Sequence, residues 1–345
     1  MSVYILGAGG VGTLLASSLT KQFAVNFIVR NQAKIEHLRK TGNAFQIKRL
    51  YDNDRVLDYR IKSAVTVHDI PDEHIEFLLV SVKGFDTIKS LSPLLAKINE
   101  KTRILLVQNG MGVVDELYGT LWKDKSKRPI IYQGVISHGV WQPQEWANTY
   151  NYNHAGYGSL KVCQIPRELS NPTESGQIEE DDVINALLKS DLNVSTHTYK
   201  ELLVYQIQKL LVNSCMNSTT SIVDVINGGL ANIEEVDTLF TSIVDEGLRI
   251  LYEAYPSLQS SPLAKELLNT KPLVEFVKHV GFGVNGKNST SMRQDVLNLR
   301  KTEIDYINGH IVSKAHELGK EAPVNSTIKT LVNLKAKVLI NQAGK

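Results

Sequence analysis

The chain opens on Val3-Tyr4-Ile5-Leu6-Gly7-Ala8-Gly9-Gly10-Val11-Gly12-Thr13-Leu14-Leu15, and the reading of this stretch decides the fold. Residues 3–6 form an apolar run suited to a buried strand, and residues 13–19 read as helix. Between them Gly7, Gly9 and Gly12 match G-x-G-x-x-G. Strand, glycine turn and helix, in that order, present backbone N–H groups at a helix N-terminus to a pyrophosphate. Glycine-rich hexamers recur by chance and a plain strand-to-helix turn also uses glycine, so the flanking strand and helix carry the argument. The residues expected to hold a dinucleotide are Gly7, Ala8, Gly9, Gly10, Val11 and Gly12.

Moving outward from the turn, residues 25–29, 76–82 and 103–107 are nearly continuous in apolar residues. Such runs are expected when helices cover both faces of a parallel sheet. Residues 129–137, 157–164 and 193–199 read as further strands, 46–60 as a hairpin or excursion, and 166–182 as a polar surface loop. From about residue 199 the pattern turns helical without convincing strands. The expected architecture is α/β: an N-terminal Rossmann-type doubly wound sheet over residues 1–199, then an all-α C-terminal domain over residues 200–345.

Composition narrows the function classes. The chain has 345 residues, too many for one core of roughly 100–200 residues, with 42% hydrophobic and 21% charged residues and a net charge of +2. That balance argues against a nucleic-acid partner. The sequence has no apolar run of about 18 residues, so no membrane span is expected. Two cysteines, Cys163 and Cys215, cannot frame a disulfide scaffold and point to a reducing compartment. A strand that begins directly after Met1 leaves no room for a leader, which makes the cytoplasm the expected location. No metal site is expected.

The residue ending the second strand separates the two nicotinamide cofactors, because a carboxylate there bonds a ribose 2′-hydroxyl whereas arginine accommodates a 2′-phosphate. Here it is Arg30, with Asn31 and Lys34 as further donors, so NADP(H) is expected; the bland alternative is a solvated strand-end charge. Lys83 and Asn109 follow the strands 76–82 and 103–107. Both are expected at the carboxyl edge of the sheet beside the cofactor, although Lys-Gly and Asn-Gly are also ordinary strand exits.

Lys209, Asn213 and Asn217 recur every fourth residue along an otherwise apolar helix, and so share one stripe. A lone lysine with two short amides fits an internal site better than a solvated face. Late in the chain Met292, Val296, Leu299, Glu303, Tyr306 and His310 step by three and four. Read as one helix, they put Glu303 on a largely apolar stripe, where a carboxylate needs a partner. Lys209 is the expected partner; Arg300, Lys301 or an outward turn are the alternatives. Ser291 with Gln294 has capping-box spacing for the start of that helix, and a serine there can also donate to a substrate carboxylate.

These residues resemble the ketopantoate reductases (2-dehydropantoate 2-reductases). The likeness rests on the turn at Gly7–Gly12, Val82-Lys83-Gly84, Gln108-Asn109-Gly110, Lys209-x-x-x-Asn213-x-x-x-Asn217, Ser291-Met292, and Leu299-Arg300-Lys301-Thr302-Glu303-Ile304-Asp305-Tyr306-Ile307-Asn308-Gly309. The resemblance implies hydride transfer from NADPH to the C2 ketone of 2-dehydropantoate, giving pantoate on the way to pantothenate and coenzyme A. It implies Lys209 as general acid, Glu303 as its orienting partner, and Asn213, Asn217 and Ser291 as ligands of the substrate. It also places Asn109 and Lys83 at the nicotinamide and ribose, with Asn109 in reach of substrate. The partner is then a small keto-acid substrate, with no nucleic acid or membrane, and the chain is a monomer or homodimer. A related reductase of another 2-keto acid, or a non-catalytic NADP(H) sensor, are the competing readings. Relative to the family, extra length falls near 46–60, 122–128 and 141–182, and Ser137-His138-Gly139-Val140-Trp141 departs from the expected glycine-rich pattern.

Overall fold

The computed structural model describes residues 1–30, 32–147, 149–169 and 180–344. The polar donor Asn31 and the centre of the expected surface loop, 170–179, lie outside the described residues. The chain divides into two compact units, Met1–Gln108 with Val114–Leu202, and Asn109–Val113 with Leu203–Lys345.

The first unit begins β1 (Ser2–Leu6), α1 (Gly10–Leu19), β2 (Ala24–Ile28) and α2 (Gln32–Lys40). It continues through β3 (Ala44–Arg49), β4 (Arg55–Arg60), β5 (Ser63–Val65), β6 (Phe77–Val80), α3 (Thr87–Leu91), β7 (Arg103–Leu106) and α4 (Val113–Thr120). It closes with β8 (Ile130–Ile136), β9 (Gly139–Trp141), β10 (Tyr152–Gly156), β11 (Leu160–Gln164), α5 (Asp182–Leu188) and β12 (Val194–Thr196). The main sheet is eight-stranded in the order β12-β11-β8-β7-β6-β1-β2-β5. From β5 to β8 every pairing is parallel; β11 runs antiparallel to β8. The order reverses direction at β1, and in such sheets ligands bind beyond the carboxyl ends of the strands at that point. The doubly wound sheet expected from the apolar runs is therefore present. Val3, Ile5, Phe27, Phe77, Leu79 and Leu105 are buried in its core, each contributing about 1.5–3 kcal/mol by removal from water.

The excursion at 46–60 is an antiparallel hairpin, β3 with β4, and it joins β10 and β9 in a second, four-stranded sheet ordered β4-β3-β10-β9. Two of the segments read as extra length, 46–60 and 141–182, thus contribute strands to one sheet. The expected strand at 157–164 starts only at Leu160, and that at 193–199 is only Val194–Thr196. The end of the expected loop is the start of α5, where Asp181 accepts the N–H groups of Val183 and Ile184 at 2.9 Å and pairs with Arg103 at 2.9 Å.

The second unit is helical: α6 (Tyr199–Val223, whose first residues belong to the first unit), α7 (Glu234–Ala254), α8 (Pro262–Leu267), α9 (Thr270–Lys278), α10 (Ser291–Leu297), α11 (Asn308–Glu317) and α12 (Pro323–Ala343). Its core gathers Leu210, Leu211, Phe240, Ile243, Leu251, Val277, Ile311 and Val332. Pro323 opens α12 at a position where no N–H is needed. The buried Glu246 carboxylate of α7 accepts the next two N–H groups, Val324 at 3.0 Å and Asn325 at 2.8 Å. Among the described residues no helix is long and apolar enough to cross a membrane.

The stripe expected from Met292 to His310 is not one helix. α10 stops at Leu297, and Leu299 adopts φ +55°. The Leu299 N–H reaches the Val296 carbonyl at 3.1 Å and that of Arg300 the Asp295 carbonyl at 2.8 Å. This is the double closure of a Schellman ending, with leucine where glycine is usual. Glu303 therefore lies in the connection before a short 3-10 turn at Ile304–Tyr306, not on a helix face. The helix cap also moves by one residue: Thr290 accepts the Arg293 N–H at 3.2 Å, and Ser291 is the first helical residue. The capping-box spacing Ser291-x-x-Gln294 favoured Ser291, whereas the hydroxyl that accepts the first free N–H is that of Thr290, which has Arg293 rather than Glu or Gln three residues on.

Candidate active site

In the first unit the glycine turn has the geometry a dinucleotide needs. Gly7 sits at φ +98°, a conformation that costs other residues on the order of 1–2 kcal/mol. A β-carbon at Gly12 would run into the Gly7 carbonyl oxygen and the Ser81 hydroxyl, whereas one at Gly9 would meet nothing within 4 Å. The turn is thus closed against β1 and β6 and open at Gly9, where a pyrophosphate would approach the start of α1. The second sheet supports it: Tyr152 of β10 donates to the Ala8 carbonyl at 3.3 Å, and a β-carbon at Gly10 would lie 2.9 Å from the Val140 Cγ1 of β9. A pyridine dinucleotide fits this cradle. No sequence signal pointed to Val140 or Tyr152, because their pairing with the turn spans more than a hundred residues.

Arg30 follows β2 directly. Its side chain is 64% exposed, with the guanidinium 3.1 Å from the Asp86 carboxylate and 3.0 Å from the Ser90 hydroxyl. Lys34, the other expected donor, turns its ammonium over the Tyr150 ring, 5.2 Å from the centroid, and burial lowers its pKa. Lys83 is half-buried just beyond β6, where its carbonyl accepts the Thr87 hydroxyl at 3.4 Å.

In the second unit Lys209 projects from α6 and donates to the Asn109 side-chain oxygen at 2.9 Å. Asn109 belongs with the helical unit, whereas the sequence placed it among the strand-end residues. The turn carrying it is fixed from below. The Met111 N–H donates to the Tyr306 carbonyl at 2.9 Å. Gly110, at φ +83°, lies so close that a β-carbon would strike that same carbonyl. Glu303, three residues before Tyr306, is 5% exposed, and its charge acts on Lys209. Desolvation pushes the Lys209 ammonium down from 10.5 to about 8, and the Glu303 carboxylate opposes that fall. An acid poised this close to neutrality is suited to proton transfer. The charge of Glu303 acts on Lys209 although the helix expected to deliver it is absent; Arg300 pairs with Asp295, at 3.3 Å.

Farther along α6, Asn213 is half-buried and Asn217 is buried. The Thr220 and Thr290 hydroxyls, 2.7 Å apart, tie α6 to the start of α10, where Ser291 is exposed. The same seam contains a residue the sequence did not single out, Asn227. Its N–H donates to the Asn288 carbonyl at 3.0 Å, and its buried side-chain oxygen has no hydrogen-bond partner among the described residues. A buried amide oxygen without a hydrogen-bond partner costs about 1–3 kcal/mol. It lies off the four-residue spacing of Lys209, Asn213 and Asn217, so periodicity could not reveal it.

The family model described as Ketopantoate reductase PanE/ApbA matches residues 3–167, and that described as Ketopantoate reductase PanE/ApbA C terminal matches residues 201–336. The chain belongs to the ketopantoate reductase family. It is 36% identical over 337 residues to the probable 2-dehydropantoate 2-reductase of Schizosaccharomyces pombe, covering 96% of this chain and 95% of that one. To the 2-dehydropantoate 2-reductase of Saccharomyces cerevisiae it is 34% identical, covering 97% and 94%. Among solved structures it resembles the probable 2-dehydropantoate 2-reductase of Bacillus subtilis at 25% identity and a TM-score of 0.71, covering 97% of this chain and 100% of that one. A D-mandelate dehydrogenase solved with NADH and anilino(oxo)acetate shares the fold, with a TM-score of 0.78 at 20% identity over 98% and 99% of the two chains.

Proposed function

We propose that this protein reduces the C2 ketone of 2-dehydropantoate to the alcohol of pantoate, with NADPH as the reductant. The first unit is the nucleotide domain: the turn Gly7 to Gly12 holds the pyrophosphate, Arg30 the 2′-phosphate, and Lys83 the ribose. The second is the substrate domain. Bound NADPH supplies the hydride; the residues of the chain supply position, field and a proton.

Lys209 donates that proton to the carbonyl oxygen as negative charge develops there, and before donation its ammonium stabilises the same charge. Asn109 and Glu303 hold the ammonium in place. Asn213, Asn217 and Ser291 bind the carboxylate and hydroxyl of the keto acid, and Asn109 also lies in reach of it. The observation that carries this reading is the lysine ammonium depressed to about 8 and bonded to Asn109, in a chain related to 2-dehydropantoate 2-reductases over nearly its full length.

The test is kcat/KM for NADPH oxidation across a panel of 2-keto acids that includes 2-dehydropantoate. The highest value is expected with 2-dehydropantoate. A higher value with another keto acid assigns the site to a different substrate, and absence of turnover with any of them rejects the catalytic reading.

A further inference from the structure

We infer that Asp86 sets the cofactor preference of this chain by competing with a 2′-phosphate for Arg30. The inference rests on the reading of Arg30 as the 2′-phosphate site. β1 and β2 pair in parallel with Leu6 opposite Ile28, so Arg30 emerges at the same edge of the sheet as the glycine turn that follows Leu6. Its guanidinium is already engaged there, at 3.1 Å from Asp86 and 3.0 Å from Ser90, both in the stretch after β6. Lys34 cannot take over, because its ammonium is half-buried against the Tyr150 ring.

A phosphate monoester brings roughly −1.5 to −2 charges. Placed on Arg30 with Asp86 still bound, it sets two anions on one cation; placed there after Asp86 is displaced, it forfeits the existing ion pair. Either route weakens binding of the phosphorylated nucleotide. A ribose 2′-hydroxyl meets no such penalty, since it can donate to the Asp86 carboxylate. The strand-end pair Arg30–Asp86 therefore combines the feature that favours NADP with the one that favours NAD. Discrimination between the two is smaller than an unopposed arginine would give. Asp86 side-chain oxygens make no capping bond to α3, so Asp86→Asn removes the charge without costing that helix a cap.

Calorimetric Kd values for NADP+ and NAD+, measured without keto acid on the full chain, test the inference in wild type, Asp86→Asn and Arg30→Ala. The ratio Kd(NAD+)/Kd(NADP+) is expected to rise roughly fivefold in Asp86→Asn, the upper end of what an exposed ion pair is worth, and the gain shrinks as salt is added. In Arg30→Ala the ratio falls. An unchanged or lower ratio in Asp86→Asn, alongside a fall in Arg30→Ala, overturns the inference and leaves the arginine reading intact. An unchanged ratio in Arg30→Ala removes the arginine reading itself, and the competition with it.

Discussion

Glu303→Gln keeps the shape of the side chain and removes the charge that opposes desolvation of Lys209. Burial takes the ammonium from 10.5 to about 8 with the carboxylate in place; without it the value falls further. A nearby opposite charge typically moves the pKa of an ionisable group by roughly one to three units, and partial exposure of the lysine keeps the effect to the lower part of that range, so the drop is roughly one to two pH units. The proton donor is active when charged. Wild-type kcat/KM for keto-acid reduction should therefore be level below about pH 8 and decline above it, and in Glu303→Gln the decline should begin roughly one to two pH units earlier. At neutral pH the variant is slower by roughly two- to tenfold, and in acid it recovers toward wild type. NADPH oxidation followed across pH reads both limbs. A uniform loss with the limb unmoved, or a limb moved to higher pH, refutes the electrostatic role of Glu303.

Gly110→Ala puts a β-carbon against the Tyr306 carbonyl at φ +83°, and because Asn109 rides on that turn, kcat should fall at least about tenfold while NADP+ still binds; full kcat in the variant contradicts the account of the turn. His154 is fully buried, with its ring at 3.0 Å from His138 and 3.1 Å from the Tyr51 hydroxyl. Desolvation, then His138 and Arg49, lowers it from 6.5 to about 4; a backbone hydrogen bond at Gly156 and then the Asp191 charge act the other way. The unfolded chain binds the proton more readily, so the contribution is whole above pH 6.5 and is lost as pH falls through about 4. Denaturant unfolding should show up to about 3 kcal/mol of stability disappearing over that interval, with a flatter profile in His154→Gln. Equal profiles for the two proteins would exclude His154 as the source.

Much of the first unit was legible because a parallel sheet buried on both faces writes itself as continuous apolar runs, and because the glycine turn has few other uses between a strand and a helix. The second sheet was not. β9 and β10 are short, and β10 pairs with β3 across more than a hundred residues, a separation that leaves no local signal. The helix break at Leu299 was hidden for a related reason: neither glycine nor proline marks it, and the apolar steps on each side keep helical spacing. The electrostatic link of Glu303 to Lys209 was foreseeable without that break, since a carboxylate and an ammonium inside an apolar unit act on one another whatever backbone delivers them. Arg30 was read from its position at the strand end, but its ion pair with Asp86 depends on a contact with the stretch after β6, more than fifty residues away, that sequence order does not bring together.

The central claim is that a lysine of the helical unit protonates the substrate. It is tested most directly by kcat for 2-dehydropantoate reduction in Lys209→Ala, with NADP+ affinity measured on the same preparation. Loss of a positioned proton donor predicts a fall of roughly 100- to 10,000-fold in kcat while the nucleotide remains bound as in wild type. Turnover within a few-fold of wild type would contradict the account, whatever the affinity.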